Sequence, residues 1–293
     1  ESDRSFLRLH ATFAIVTNID LEHLETYKDL DDIKQTFKKF LGNIPFYGKA
    51  VVCIDDPNIQ AILPLPHIKI IKYGIEHCDQ ADITAGQIQL NADHSTCVVL
   101  KKNENQPLGH MKINMPGYHN VLNALAATSM ALELGIPFET IASALASFKG
   151  VERRFTYMGS YKGAEIFDDY GHHPREIEAT VTVAQKRSKG RLIVVFQPHR
   201  YTRTERLWND FVDLFVRTQF DHLIITDIYP ASEAPIPGIT SENLANTLHA
   251  IIPAVSIKYY EPTKLMRAID GIVCPHDLIL CIGAGKHVSE LAK

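Results

Sequence analysis

The chain is poor in cysteine: among 293 residues there are five, an odd number, at 53, 78, 97, 274 and 281, and no two form a Cys-x-x-Cys pair. That leaves no disulfide framework to read, and cysteines set in apolar runs such as Val51-Val52-Cys53-Ile54 suit buried free thiols of a reducing compartment. No apolar run approaches the ~18 residues that span a bilayer, and no basic-then-apolar leader opens the chain. A cytoplasmic protein with no membrane partner is the expectation. An excess of positive charge is missing too: 30 Lys and Arg against 34 Asp and Glu give a formal net charge of -4. No overall basic field awaits nucleic acid, so any anion site is a local concentration of charge, as around Arg200, Arg203 and Arg206. Internal repeats and low-complexity segments are also absent. What remains is an ordinary globular composition, 45% hydrophobic, on a chain long enough for two cores at about 150 residues each.

Hydrophobic spacing orders the first half. Phe13 to Asn18 and Ala50 to Ile54 read as buried strands, and Ile33, Phe37, Phe40 and Leu41 give Asp31 to Leu41 an amphipathic helical stripe. Between Ile68 and Met115 short alternating runs, separated by Asn91-Ala92-Asp93 and Asn103-Glu104-Asn105, predict a small antiparallel insert. Helical spacing returns at His119 to Leu134, stopped by Gly135, and at Pro137 to Phe148.

After Gly150 a second domain is expected, with a hinge over 150 to 153. Strands at 165–168, 191–196, 222–226, 255–260 and 277–282 alternate with helices at 174–187, 203–216, 241–251, 262–270 and from Lys286. Repeated βα units predict a parallel, doubly wound, Rossmann-like sheet. The fold class is therefore α/β.

Chemistry-bearing residues collect just past strand ends, where open α/β sheets hold ligands. Ile166-Phe167 runs into Asp168-Asp169-Tyr170-Gly171-His172-His173-Pro174, and Leu192 to Phe196 runs into Pro198-His199-Arg200-Tyr201-Thr202-Arg203. The two aspartates suit a ribose hydroxyl or a metal, while Tyr170, His172 and His173 suit an anionic or sugar-bearing substrate. Arg200 and Arg203, three apart at a helix start, suit phosphate or carboxylate.

Asn120 and Asn123 share one face of an alanine-rich helix. Each carboxamide sets a donor beside an acceptor, the pattern that reads the N6 and N7 edge of adenine, although spacing alone favours capping by Asn120 with Asn123 solvated. Arg154, beside Arg153 at the hinge, either forks onto a phosphate or makes a surface salt bridge. Glu1 and His23, with Asp3, Asp20 and Glu22 nearby, are candidate neighbours of Mg²⁺, a cation that prefers oxygen ligands, which leaves His23 a structural or supporting role as the alternative. Gly283-Ala284-Gly285-Lys286 lacks the full spacing of a phosphate loop and reads as a strand-to-helix turn bordering the site.

In consistent order along the chain, Glu1-Ser2-Asp3-x-Ser5-Phe6, Thr17-Asn18-Ile19-x-x-x-His23, Gly117-x-His119-Asn120-x-x-Asn123, Arg153-Arg154-Phe155, Asp168 to Pro174, Phe196 to Thr204 and Tyr229-Pro230-Ala231-x-Glu233 resemble the Mur ligases of peptidoglycan synthesis. The resemblance implies a partial central ATP-binding domain over 1–152 and a C-terminal Rossmann-like ligase domain over 153–293. It also implies that a uridine-nucleotide domain and a Gly-Lys-Thr phosphate loop precede Glu1, so that this fragment is not expected to turn over alone.

By the same resemblance, Glu1 and His23 match positions near Mg²⁺, with His23 in place of the carbamylated lysine of other members. Asn120 and Asn123 match adenine readers, and Arg154 and Asp169 match nucleotide contacts from either side of the hinge. Tyr170, His172, Arg200 and Arg203 match the rim that holds the muramyl substrate and the incoming amino acid, and His23, Arg154, His172, Arg200 and Arg203 are the expected catalytic set. The implied reaction of the alanine-adding member is phosphorylation of the lactyl carboxylate of UDP-N-acetylmuramate by ATP, then attack of the L-alanine amine on the acyl phosphate. Two alternatives stand beside it: a related tripeptide ligase of cell-wall recycling, usually with alanine where Gly171 stands, and a non-catalytic nucleotide-binding module.

Overall fold

A computed structural model describes residues 3–23 and 26–292. The chain divides into two compact units, 1–149 and 150–293.

In the first unit β1 (Phe13–Val16), β2 (Lys49–Cys53) and β3 (Lys69–Tyr73) pair in parallel register. β4 (Ile83–Leu90) joins β3 in parallel at Tyr73 and Ile83, then turns back into an antiparallel meander with β5 (Ser95–Lys101) and β6 (Gly109–Ile113). The antiparallel segment expected from Ile68 onward therefore begins only after β3 and extends the same six-stranded sheet.

Four helices pack with this sheet: α1 (Leu30–Gly42), α2 (Pro57–Gln60), α3 (Tyr118–Glu133) and α4 (Phe138–Ser147). Asp29 starts α1 by accepting from the Asp32 amide, one of the donors that a helix end leaves unpaired. In α3 the small residues Ala124 and Ala126 flank Leu125, all buried in the same core as Val51, Val52 and Tyr73.

The second unit contains β7 (Thr156–Tyr161), β8 (Ala164–Asp169), α5 (Pro174–Arg187), β9 (Leu192–Phe196), α6 (Tyr201–Arg206) and α7 (Trp208–Arg217). It continues with β10 (His222–Ile225), α8 (Ser241–Ile251), β11 (Ser256–Tyr259), α9 (Leu265–Asp270), β12 (Leu278–Ile282) and α10 (Lys286–Leu291). The sheet runs β11-β10-β9-β12-β8-β7, parallel except for β7, an antiparallel edge strand that sequence spacing did not reveal.

This order fixes where the helices go. From β8 through β11 the chain moves across the sheet in one direction, and β12 then returns between β9 and β8. Right-handed crossovers in opposite directions place their helices on opposite faces. Accordingly Leu192, Val194 and Phe196 of β9 pack with Ile177, Phe211, Leu214 and Leu244 of α5, α7 and α8. The intervening Ile193 and Val195 pack with Leu265, Ile269 and Val288 of α9 and α10. Strand residues alternate faces with a period of two, so a strand buried on both sides reads as one unbroken apolar run.

Candidate functional site

The registry of the second sheet assembles the rim. Ile282 at the end of β12 stands opposite both Asp169 of β8 and Phe196 of β9, so the segments leaving these strands are brought side by side. The 283–285 turn lies between them, as its sequence suggested. A Cβ on Gly283, whose φ is +146°, would stand 2.6 Å from the Gln197 carbonyl oxygen, and one on Gly285 would stand 2.0 Å from Gln197 Oε1. Glycine is required there because Gln197, fully buried, lies against the turn.

The adjacent aspartates are both buried and do different work. Asp168 Oδ2 accepts from Arg153 Nε at 2.9 Å, while Arg153 Nη2 reaches the Gly283 carbonyl at 2.7 Å. Asp169 accepts from the amides of Phe155 (2.8 Å) and Gly171 (2.7 Å), fixing the turn that follows β8. Burial raises its carboxyl above the ordinary range, and the amides of Gly171 and Phe155 and the Arg154 charge offset only part of that. A Cβ on Gly171 would come within 2.8 Å of Asp169 Oδ1, so the absence of a side chain at 171 belongs to this arrangement.

The paired histidines also part. His173 is the N-cap of α5: its ring accepts from the Arg175 amide, and Glu176 bonds back to the His173 amide at 3.3 Å, completing a capping box. His172 faces the rim, with Nδ1 3.1 Å from the Tyr170 carbonyl oxygen and 3.7 Å from Glu176 Oε2. Burial pushes Glu176 upward, but the charge of His172, the amides of His172 and His173 and the charge of Arg154 hold it below the usual range. Arg154 Nη1 lies 3.2 Å from Glu176 Oε1, the salt bridge that its sequence position allowed. Tyr170 is edge-on to His172 at 5.5 Å and carries the Arg153 guanidinium 4.9 Å from its ring centroid.

Past β9, Arg200 is the N-cap of α6 with φ 71°, its amide held by the Tyr229 carbonyl at 2.8 Å. Arg203 Nη1 lies 3.0 Å from His199 Nδ1. Glu233, 31 residues on, accepts from the Thr202 amide at 3.0 Å and the Thr202 hydroxyl at 2.7 Å, and lies 4.0 Å from Arg200 Nη1. The sequence had offered the helix end itself as an anion site. Instead Glu233 occupies the Thr202 amide, and α6 is only six residues long. Glu176 carried a local signal, three residues after an N-cap, whereas Glu233, singled out only within the Tyr229-to-Glu233 motif, carried no local sign of this contact because it arrives from another loop.

In the first unit Asn120 and Asn123 lie one turn apart on α3, which is capped by Gly117. Asn120 does not cap the helix; its Nδ2 donates to the Pro116 carbonyl at 2.8 Å, and Asn123 is exposed. His23 has φ 54° and its carbonyl accepts from the amides of Thr26 and Tyr27. Glu1 lies outside the described residues. Among the described residues no three His, Cys, Asp or Glu side chains converge as a metal site, so His23, Asp20 and Glu22 do not form a complete ligand set for Mg²⁺.

Known proteins resemble this chain in sequence and fold. The family model described as Mur ligase middle domain matches residues 2–131, and that described as Mur ligase, glutamate ligase domain matches 153–285. The chain is 46% identical to a UDP-N-acetylmuramate--L-alanine ligase of Geobacter sp. (strain M21) over 286 residues, 97% of this chain and 61% of the relative. It is also 46% identical to the enzyme of the same name from Syntrophotalea carbinolica over 288 residues, again 97% and 61%. Among solved structures, UDP-N-acetylmuramate-alanine ligase MurC from Thermotoga maritima superposes with a TM-score of 0.76 at 23% identity, covering 98% of this chain and 60% of that one. The chain thus spans about 61% of the length of the curated relatives it matches.

Proposed function

The chain belongs to the Mur ligase family, carrying its middle and C-terminal domains, and we propose that it serves a ligase joining L-alanine to the lactyl carboxylate of UDP-N-acetylmuramate in peptidoglycan precursor synthesis. The observation that carries this reading is the 46% identity to two enzymes of that name across 97% of the chain. Gly171, where a Cβ would meet the Asp169 carboxylate at 2.8 Å, stands where the tripeptide ligase usually has alanine, which favours the L-alanine reading.

Mur ligases are ATP-dependent. A carboxylate is a poor electrophile because its leaving group would be oxide, and ATP supplies a better one as phosphate. We take residues 1–152 as the nucleotide-binding portion, with Asn120 and Asn123 reading the adenine edge and Arg154 exchanging Glu176 for a phosphate. Asp169, its carboxylate already held by two amides, contributes to the nucleotide side by fixing its turn. Residues 153–293 form the ligase portion: Arg200 and Arg203 take the carboxylate of the incoming amino acid, and Tyr170 and His172 line the approach of the muramyl substrate. Glu1 and His23 would stand beside Mg²⁺, although the described residues alone form no complete ligand set for it.

No described helix is long and apolar enough to cross a membrane. The decisive assay supplies the full-length protein with ATP and UDP-N-acetylmuramate plus either L-alanine or the recycled tripeptide. Release of ADP dependent on L-alanine is expected. Release dependent on the tripeptide alone overturns the choice of amino acid, and no ADP release with either acceptor favours a non-catalytic nucleotide-binding module.

A further inference from the structure

His199 is a histidine of the rim that the proposed reaction does not use, and its surroundings dictate its chemical state. A guanidinium has five N–H donors and no acceptor. With Arg203 Nη1 at 3.0 Å, His199 Nδ1 must therefore be the bare, accepting nitrogen, and the ring proton must sit on Nε2. The same Nη1 lies 3.3 Å from the His199 carbonyl oxygen, so one corner of the guanidinium is held by both the ring and the backbone of a single residue.

The ring itself is fixed on two sides. It stacks on Tyr229, with centroids 5.4 Å apart and planes 11° from parallel, and meets His172 at 5.6 Å. The backbone beneath is tied as well, because the Tyr229 amide donates to the Pro198 carbonyl and the Arg200 amide to the Tyr229 carbonyl, each at 2.8 Å.

Charge keeps the accepting state in place. Burial, then the positive charges of Arg203, His172 and Arg200, bring the His199 imidazole down to about 4, with Glu233 acting in the opposite sense. Across the neutral range the ring remains an acceptor.

We propose that His199 is a positioning residue of the ligase reaction, whose bare Nδ1 holds Arg203 in the orientation that receives the carboxylate of the incoming amino acid. This rests on the ligase reading above. Its logic is that a long, rotamer-rich side chain binds an anion better when its ordering has already been accomplished by the protein.

The kinetic test uses the full-length protein and four variants: His199→Phe, His199→Asn, Arg203→Lys and the double variant His199→Phe in Arg203→Lys. His199→Phe keeps a ring to stack on Tyr229 and removes the acceptor, whereas His199→Asn removes the ring and keeps an acceptor. His199→Phe is expected to raise KM for L-alanine by about tenfold while moving KM for ATP less than about twofold, and His199→Asn to recover most of that loss. In an Arg203→Lys background, which lacks the planar fork, His199→Phe is expected to add less than about twofold, because the group it positions is already gone. Losses that multiply in the double variant, or an unchanged KM for L-alanine in His199→Phe, overturn the proposal.

A readout independent of turnover separates this from the ligase reading. Histidine-selective ¹⁵N NMR of the unliganded protein should show His199 protonated at Nε2 alone from pH 8 down to about 5, with a titration midpoint that rises in Arg203→Ala. Protonation at Nδ1, or a midpoint indifferent to Arg203, overturns the positioning role. Normal NMR behaviour in a protein that shows no L-alanine-dependent ADP release would refute the ligase reading and leave the Arg203–His199 pairing established.

Discussion

Arg153 Nε donates to Asp168 Oδ2 at 2.9 Å, and the carboxylate it meets is 2% exposed. The pair closes the second unit near its start, since Arg153 also bonds the Gly283 carbonyl at the far end of the same unit. Removing one partner strands the other in a place where water cannot reach it. Arg153→Ala is therefore expected to lower unfolding stability by about 3 kcal/mol, the range for breaking a buried pair and reduced by the partial exposure of the arginine. Urea denaturation checks this. A change under about 0.5 kcal/mol would reduce the pair to a surface contact.

Glu233 supports α6 from a distance by accepting from both the amide and the hydroxyl of Thr202. Glu233→Ala removes the acceptor of the Thr202 amide and hydroxyl and a carboxylate 4.0 Å from Arg200, whereas Glu233→Gln keeps an acceptor. Alanine is expected to cost about 1–2 kcal/mol and to raise KM for the amino acid, and glutamine to cost much less. Thermal unfolding together with steady-state kinetics separates the variants. Equal loss from both would mean that charge, not acceptance of hydrogen bonds, is what Glu233 contributes.

These two cases mark where sequence reading ends. Helices Pro174–Arg187 and Ser241–Ile251 match their expected bounds because both ends carry local signals: a proline inside the first turn of one, Thr240 capping the other, and apolar spacing throughout. Tyr170, His172, Arg200 and Arg203 were legible because strand-end position depends on local runs and the βα rule. The predicted 203–216 helix is instead Tyr201–Arg206 followed by Trp208–Arg217, with Leu207 at φ -103° and ψ 20° between them. No glycine or proline marks that break, and the earlier start accompanies contacts from Glu233. β7 escaped notice because it is a half-exposed edge with Tyr157 turned outward, and a register shift between Tyr157 and Gly159 disrupts its alternation. Long-range partners and irregular edges leave no local pattern to read.

Asn120 and Asn123 share a helix face but differ in commitment. Asn120 holds the Pro116 carbonyl through Nδ2, and Asn123 is exposed. Asn123→Ala in the full-length protein is therefore expected to raise KM for ATP by roughly tenfold, the weight of one good base-edge contact, with thermal stability unchanged. Asn120→Ala should lower both ATP affinity and stability, because its bond to the loop before α3 is also lost. Unchanged ATP dependence in Asn123→Ala would return that residue to a solvated helix face.

Asp277 anchors the opposite end of the second sheet, where β9 and β12 begin. Its carboxylate is 2% exposed and takes Arg191 Nη2 at 2.7 Å, Arg191 Nε at 3.2 Å and the Cys274 amide at 2.8 Å. Burial acts to raise its carboxyl, but bonds from Arg191 and Cys274 and the Arg191 charge outweigh that and hold it below 3.8, the ordinary value. In the window below that value the unfolded chain binds a proton that the folded chain still refuses, so the stability this group contributes is present at higher pH and is lost as pH falls through its folded pKa. Asp277→Asn cannot titrate and gives up the ion pair at every pH. It is expected to unfold more readily at pH 7, by about 3 kcal/mol, and to show a shallower loss of stability between pH 4 and 2 than the unaltered protein. Urea midpoints measured across that range provide the comparison; parallel acid profiles would assign the acid sensitivity to other carboxylates.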